Sequence, residues 1–312
     1  MDISEQVNNS LVEEDIEPIM ELTPALVQKR RSQMRIIFDR FIRNRAAIVG
    51  FVFLALLFLF CFVGPAITGH NLPNALHPAD ADLSPTLQYP FGTDDVGRDQ
   101  FARAMYGGQV SLLVGISSMA VALIFGVSVG AIAGYYGGLV DNILMRFTDV
   151  MLSVPYLLLL FVLSAAFSDG SSRTVIFLIA LLSWPTTARL VRGEFLALKE
   201  REYVLASRTI GARPLRLMLR HILPNAAGPI IVNATLLIGV NIITESVLSY
   251  FNFGLHPPDA SWGNMVNSGQ AVYDSAPWLV FTPALLIFLT VLSCNLVGDG
   301  LRDALDPHMT ER

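Results

Sequence analysis

Three ionisable residues stand in or beside strongly apolar stretches of this 312-residue chain, where charged side chains can do chemistry. Arg146 and Asp149 are three positions apart, so on a helix they share one face and can form an ion pair. Glu245 has no sequence neighbour of opposite charge. Charges in apolar segments are costly; they mark transport paths but also bond helices together. Arg146 and Asp149 are predicted to form a structural or a functional pair, and Glu245 to line a substrate path or bond a neighbouring helix.

Motifs that bind phosphate, hold a metal or activate a nucleophile are absent from the sequence. The chain has two lysines, Lys29 and Lys199, and neither stands in a G-x-x-x-x-G-K-[ST] loop. H-E-x-x-H and G-x-S-x-G are missing, and the five histidines have no ligand spacing. Cys61 and Cys294 lie in apolar runs, where cysteine acts as a small hydrophobe. We therefore predict no catalytic residue, no metal site and no cofactor on this chain.

The overall composition indicates a protein that crosses a membrane several times. Hydrophobic residues make up 53% of the chain and charged residues 15%, with a mean hydropathy of +0.53. A bilayer-spanning helix needs about 20 apolar residues, and backbone groups in lipid must be bonded within their own segment. We therefore predict an all-α membrane protein with six spans. They cover 46–67, 110–135, 143–167, 174–190, 226–251 and 278–297.

The segments around these spans differ in charge. Residues 1–28 hold seven acids and no base, which predicts an acidic tail without regular structure. Residues 29–45 hold seven cations, with apolar residues at helical spacing, which predicts a helix lying on the membrane surface. Two longer segments, 68–109 and 252–277, interrupt the spans. Residues 110–308 are predicted to form the transmembrane core.

A cationic loop, residues 199–225, separates the fourth and fifth spans and has an internal order of its own. It is predicted to contain a helical run, a break at Gly211, a restart at Pro214 and a stop at Pro224. A simple connection between two spans needs only a few residues. The loop is therefore predicted to be a docking element for a partner.

The distribution of cations predicts the orientation of the chain. Seven cations flank the first span and eight lie in the cationic loop and its approaches. The segments between spans that fall on the other side of the membrane carry only three cations: Arg98, Arg103 and Arg173. Lys and Arg are retained on the cytoplasmic side, so both termini and the loop are predicted to be cytoplasmic and 68–109 and 252–277 to face outward.

Small residues and prolines mark the packing of the spans. Gly126, Gly130 and Gly134 repeat every fourth residue and share one helix face, which favours close helix packing over a hinge or a pore-lining strip. Three prolines are predicted to interrupt or kink spans. They are Pro155, Pro185 and Pro283.

The cationic loop resembles the E-A-A-x-x-x-G-(x)9-I-x-L-P loop of bacterial ABC-importer permeases. Ala206, Gly211 and Leu223-Pro224 match that pattern as written. Leu205 replaces the Glu and Ser207 the second Ala, and the Ile is replaced by a histidine. The rest of the chain is similar to the C-type subunit of the dipeptide and oligopeptide permease family. The similar motifs are Phe91–Asp99, Gly137–Asp141 with Met145-Arg146 and Asp149, Pro257-Pro258 with Ser261–Asn264, and Asn295–Asp303 with Asp306-Pro307.

The resemblance implies the fold of a type I importer permease and a set of partners. Such a permease pairs with a homologous second permease, two ABC ATPase subunits dock beneath it, and an extracytoplasmic solute-binding protein delivers substrate. ATP and magnesium would belong to the ATPases, and lipid rather than nucleic acid would surround the chain in a prokaryotic inner membrane. The residues implied to couple ATPase closure to alternating access are Tyr203, Leu205, Ala206, Ser207, Gly211, Ala212, Leu223 and Pro224.

Several functions remain open at this point. The family's commonest cargo is peptide, but relatives carry nickel, glutathione, opines or sugars. An autonomous channel or secondary transporter would show paired ionisable groups at mid-membrane and inverted repeats, and neither is evident. A membrane enzyme is disfavoured by the missing motifs. Peptide import is the function predicted.

Overall fold

A computed structural model describes residues 33–305 of the chain, apart from 168 and 257. Residues 1–32 and 306–312 lie outside this description. The predicted acidic tail, the first part of the basic flank and the Asp-Pro end of the last motif fall in these two ranges.

The described residues fold into helices joined by loops, with an isolated β-bridge between Thr93 and Asp99. Asn44 separates the first two helices, and its side chain accepts the N–H of Ala47 to cap the second. The helices are α1 Gln33–Arg43, α2 Arg45–Phe62, α3 Gly64–Thr68, α4 Gln100–Tyr136, α5 Gly138–Ser153, α6 Tyr156–Phe167, α7 Ser172–Leu198, α8 Glu202–Thr209, α9 Pro214–Tyr250, α10 Trp262–Gln270 and α11 Trp278–Leu305.

Five of these helices, namely α2, α4, α7, α9 and α11, are long and apolar enough to cross a membrane. The α5 and α6 pair supplies a sixth span if it is counted as one, although its halves are bent by 84°. The predicted span over 143–167 is therefore broken at Pro155, and the predicted interruption by this proline is confirmed. Pro155 lies in the break, and the residue before it, Val154, has extended backbone angles, as expected before proline.

Helix ends extend further than hydropathy predicts. Helix α4 begins at Gln100 rather than near 110, α7 continues to Leu198, and α11 continues to Leu305. A helix of 37 residues, such as α4, is about 55 Å long, whereas the hydrocarbon core is about 30 Å thick. The ends that project beyond the core need not be apolar, so a hydropathy window misses them.

Prolines inside the other spans do not divide them. Pro185 and Pro283 lie within the continuous helices α7 and α11. The predicted stop at Pro224 is also wrong, because α9 runs through it from Pro214 to Tyr250. A π-helical turn over Met218–Ile222 precedes Pro224, and the N–H of Leu223 donates to the carbonyl of Met218. This wider turn carries the helix to the proline.

Helix α4 packs closely along α7 through a strip of small residues. Gly126, Gly130 and Gly134 are buried, and a Cβ added at any of them would lie between 2.4 and 2.6 Å from an atom of α7. A larger side chain would force the two helices apart. The strip thus faces a neighbouring helix and not an open pore.

Helix α11 packs against α2 in the same manner. A Cβ added at Gly300 would lie 2.2 Å from the Cβ of Ala47. The amide of Asn44, just before α2, donates to the carboxylate of Asp303 at 3.1 Å. The glycine and acid of the Asn295–Asp303 motif therefore hold the N-terminal span against the last one.

Candidate functional site

The cationic loop contains a short exposed helix, α8, which is attached to the membrane helices by one side chain. Val204 is the buried residue of α8 and packs into an apolar cluster with Leu217 and Ile222 of α9. Tyr203 and Leu205 are each 40% exposed. One face of α8 is thus fixed to the protein, and the remaining faces stay accessible.

Helix α8 ends at a glycine whose conformation suits few other residues. Gly211 has a φ of +86° and its N–H donates to the carbonyl of Arg208, while the N–H of Ala212 donates to the carbonyl of Ser207. This pair of bonds is the Schellman arrangement, in which a left-handed residue ends a helix. Among the described residues, and apart from Gly211 and its two chain neighbours, no atom would lie within 4 Å of a Cβ added at Gly211. The backbone angle, and not crowding, is what calls for glycine there.

The chain then re-enters the protein along α9. Leu217, Met218 and Ile222 are buried, Leu223 is partly buried and Pro224 is exposed. Ala212 is partly buried and Ala206 is exposed. Ala212 and Leu223 pack against the apolar cluster that contains Val204, so the loop presents one surface built by α8 and the start of α9.

Four arginines of the loop point into solvent without partners among the described residues. Within the described residues, no hydrogen bond or ion pair involves the side chains of Arg208, Arg213, Arg216 or Arg220, and all four are exposed. Their charges are left available to a lipid surface or to another protein.

Charged contacts hold the helices from which the loop emerges. Both guanidinium arms of Arg192 on α7 bond the carboxylate of Asp141 on α5, with Nη2 to Oδ2 at 2.6 Å. Lys199, next to α7, donates to the carbonyl of Gly134 near the end of α4 at 3.0 Å. Two-armed Arg–carboxylate pairs fix geometry as well as charge. Sequence reasoning gave this pair no role, although Asp141 stood in a recognised motif.

The predicted pair of Arg146 and Asp149 does not form. Asp149 Oδ1 instead accepts Arg189 Nη2 of α7 at 2.6 Å. Arg146 is exposed beside Phe147 and Val150 on the outer face of α5. Arg189, 40 positions away in the sequence, binds this carboxylate because α7 packs alongside α5. Helical spacing along α5 alone does not reveal that contact.

Glu245 is fully buried on α9 and bonds a neighbouring helix. Its carboxylate accepts Ser111 Oγ of α4 and Ser249 Oγ of its own helix, each at 2.8 Å. Because no part of it is exposed, it lines no open path in this conformation. Nothing in the sequence pointed to either serine.

The motif over Phe91–Asp99 is a compact turn that begins α4. Asp94 accepts Arg98 Nε at 2.7 Å and Gln100 Nε2 at 3.1 Å. Gly97 has a φ of +76°, and a Cβ there would lie 1.9 Å from the carbonyl oxygen of His77. These residues therefore hold the 68–109 segment together.

A tyrosine and a second acid fasten the same segment. The Tyr89 hydroxyl donates to Asp80 at 3.0 Å, and this bond raises the pKa of Tyr89. Asp99 caps α4 by accepting the N–H of Phe101 at 2.9 Å. The segment is therefore an ordered structure and not a loose linker.

The Ser261–Asn264 motif caps and anchors α10. Ser261 and Asn264 bond each other's backbone N–H groups in a reciprocal cap. Trp262 has no exposed surface, and its Nε1 donates to the carbonyl of Ala104 at 2.9 Å. Helix α10 is thus fixed to α4, and it also packs against α9 and α11.

Two family models match the sequence of this chain. The model described as the inner membrane component of binding-protein-dependent transport systems matches residues 126–311. The model of the N-terminal TM domain of oligopeptide transport permease C matches residues 32–85. The chain belongs to the permease family of binding-protein-dependent importers.

Curated relatives resemble this permease over most of their length. It is 40% identical to the oligopeptide permease protein OppC of Bacillus subtilis, with 86% of this chain and 88% of that protein covered. It is 39% identical to the dipeptide permease protein DppC of the same organism, over 86% and 83%. It is 37% identical to the glutathione permease protein GsiD of Pectobacterium atrosepticum, over 89% and 92%.

A solved structure supports the fold of the permease. An inward-facing MetNI methionine ABC transporter chain aligns with a TM-score of 0.53 and 19% identity, covering 65% of this chain and 96% of that one. The predicted all-α, type I permease fold is confirmed. The chain is a multi-pass, non-catalytic inner-membrane subunit, and such permeases work with separate ATPase subunits and binding proteins.

Proposed function

We propose that this permease imports di- and oligopeptides. The observation that carries the proposal is the similarity to OppC and DppC at about 40% identity over 86% of the chain. The second family model, named for oligopeptide permease C, supports the same cargo.

Glutathione is a second candidate cargo. The GsiD relative is 37% identical over 89% of this chain, little below the peptide permeases. Glutathione is itself a small peptide, so both cargoes would use a path suited to an extended, charged backbone. A binding protein that selects the cargo would then distinguish the two.

The cationic loop is proposed to be the surface on which an ATPase docks. The exposed faces of α8 and its glycine end support this role, because they are accessible while Val204 fixes the helix to α9. ATPase closure would push α8, and α9 would carry the motion into the membrane as a shift between inward- and outward-open states. The proposed coupling residues are Tyr203, Leu205, Ala206, Ser207, Gly211, Ala212, Leu223 and Pro224.

The complex is proposed to contain a second, homologous permease, two ATPases that bind ATP and magnesium, and a binding protein on the outer side. The charge asymmetry of the sequence supports cytoplasmic termini and a cytoplasmic loop. The four exposed loop arginines would contact anionic headgroups or acids of the ATPase.

Reconstitution tests this proposal. The chain would be co-expressed with the products of its neighbouring genes, purified as a complex and placed in liposomes. We expect ATP hydrolysis and uptake of labelled peptides, both dependent on the binding protein, with glutathione as the competing cargo.

Transport by this chain alone, without nucleotide, would overturn the proposal in favour of an autonomous carrier. Uptake of glutathione without peptides would overturn the peptide assignment and keep the importer.

A further inference from the structure

Glu245 is the centre of a buried hydrogen-bond network at one end of α9. Its Oε2 accepts Ser111 Oγ at 2.8 Å and its Oε1 accepts Ser249 Oγ at 2.8 Å. Ser246 Oγ makes a longer contact with Oε2 at 3.5 Å. Among the described residues, no Lys, Arg or His forms an ion pair with this carboxylate. Hydroxyl groups alone satisfy it.

Both close serines also bind the backbone of the 252–277 segment. Ser111 Oγ accepts the N–H of Trp262 at 3.3 Å, and Ser249 Oγ accepts the N–H of Leu255 at 3.2 Å. A hydroxyl donates one hydrogen bond and accepts up to two. Each serine donates its hydroxyl hydrogen bond to Glu245. The lone pairs of the serine oxygen are therefore turned toward the segment. The carboxylate thus fixes the direction of two bonds that it does not make itself.

The rest of the 252–277 segment is held separately from Glu245. Asn267 Nδ2 donates to the carbonyl of Tyr250 at 2.7 Å, and the Tyr250 hydroxyl donates to Gln270 at 2.8 Å. Loss of the carboxylate would therefore loosen the first part of the segment, around Leu255 and Trp262, while the end of α10 stays attached.

The outer side of the same segment is free to meet a partner. His256, Asp259, Tyr273 and Asp274 are exposed, while Trp262 is buried. The segment thus has one side pinned to the membrane helices and another that presents two acids and an aromatic ring.

We propose that Glu245 is a positioning residue which, through Ser111 and Ser249, holds the 252–277 segment in the shape that receives the binding protein. The inference rests on the proposed function for the outward orientation and for the partner. It assigns Glu245 neither to the substrate path nor to helix packing alone.

Two measurements on the assembled complex in nanodiscs test this role. The first is hydrogen exchange in peptides that cover 252–263. The second is the concentration of binding protein that gives half-maximal ATPase stimulation. Glu245→Gln keeps the volume of the side chain but replaces one acceptor oxygen by an NH2 donor. For this variant we expect about tenfold faster exchange of the backbone amides and an about tenfold higher half-maximal concentration of binding protein. The maximal stimulated rate should change less than that concentration.

Single-serine variants and a matched control complete the test. Ser249→Ala should loosen the peptide containing Leu255, and Ser111→Ala the peptide containing Trp262. Ser128→Ala is the control, because Ser128 is an exposed residue of α4 outside the 252–277 segment whose hydroxyl bonds the carbonyl of Ile124 in its own helix, and it should match wild type in both measurements.

Wild-type exchange and half-maximal concentration in Glu245→Gln would overturn the proposal. If that variant does not assemble, the two serine variants decide, since they keep the carboxylate, and unchanged exchange in both overturns it. Faster exchange in a complex that the binding protein never stimulates, wild type included, would overturn the proposed function and keep the positioning role.

Discussion

The cationic loop and the 252–277 segment flank the two ends of α9, and they are stabilised in opposite ways. The loop is attached by apolar side chains around Val204, and its arginine side chains make no hydrogen bond or ion pair with the described residues. The 252–277 segment is attached by directed hydrogen bonds through Ser111, Ser249 and Trp262.

The difference concerns how much each region depends on a partner. Apolar contacts are non-directional, so a helix held by one of them can shift while keeping its burial. Buried polar networks specify one arrangement, because each unmade bond is costly. The loop is therefore suited to being moved by another protein, and the 252–277 segment to keeping its shape.

Removing the anchor of the 252–277 segment should have the largest effect. Trp262→Ala leaves a cavity between α4 and α9 and deletes the bond to Ala104, so we expect a loss of about 3–5 kcal/mol in unfolding free energy. Thermal unfolding of the complex measures it. Trp262→Phe, which keeps most of the ring, is the control and should lose much less. A wild-type melting temperature for Trp262→Ala would contradict the rigid role assigned to this segment.

A smaller effect on stability, but a large one on coupling, is expected at the end of α8. Gly211→Val places a β-branched residue at φ +86°, which costs about 1–2 kcal/mol and should distort the turn. We expect membrane insertion to be normal and ATP-driven uptake to be lost.

Gly193 offers a matched control for this change. A Cβ added there would also have no atom of another described element within 4 Å, but Gly193 lies inside α7 without a positive φ. Gly193→Val should therefore keep uptake. Equal uptake in wild type and Gly211→Val would refute the role of the turn.

The smallest effect on stability should come from the loop cations. Arg216→Gln removes an exposed charge that has no partner in the described chain, so the unfolding free energy should change by less than about 0.5 kcal/mol. Coupled ATPase activity, measured across a salt series, should fall and lose part of its salt dependence. The control is Arg189→Gln, which breaks the pair with Asp149 instead. A large stability loss in Arg216→Gln would mean that the loop is not the adaptable region.

Sequence reasoning found the spans because lipid imposes a long apolar run on each, and it found Gly211 because the turn needs a left-handed residue. It failed where a partner is remote in sequence. Asp149 binds Arg189 rather than Arg146, which is three positions away. Glu245 binds Ser111, which is 134 positions away. The hydropathy of a sequence does not indicate which helices contact each other.

Local rules about proline held at Pro155 but misled at Pro224. Pro155 accompanies an 84° bend, while Pro224 sits in an unbroken helix. The backbone before Pro155 has become extended, whereas a wider turn precedes Pro224. Proline forbids one bond, but the surrounding packing decides whether the chain bends or widens.

The π turn at Met218–Ile222 has a consequence for how this protein tolerates changes in length. Such a turn holds one residue more than an ordinary α turn, so it behaves as an insertion that the helix has absorbed. In a plain helix, one added or lost residue rotates everything beyond it by about 100°. Deleting a single residue here would instead relax the turn to α and leave Glu245 facing Ser111. The end of α9 near Pro214 can therefore lose a residue without altering the register of the buried contacts beyond it.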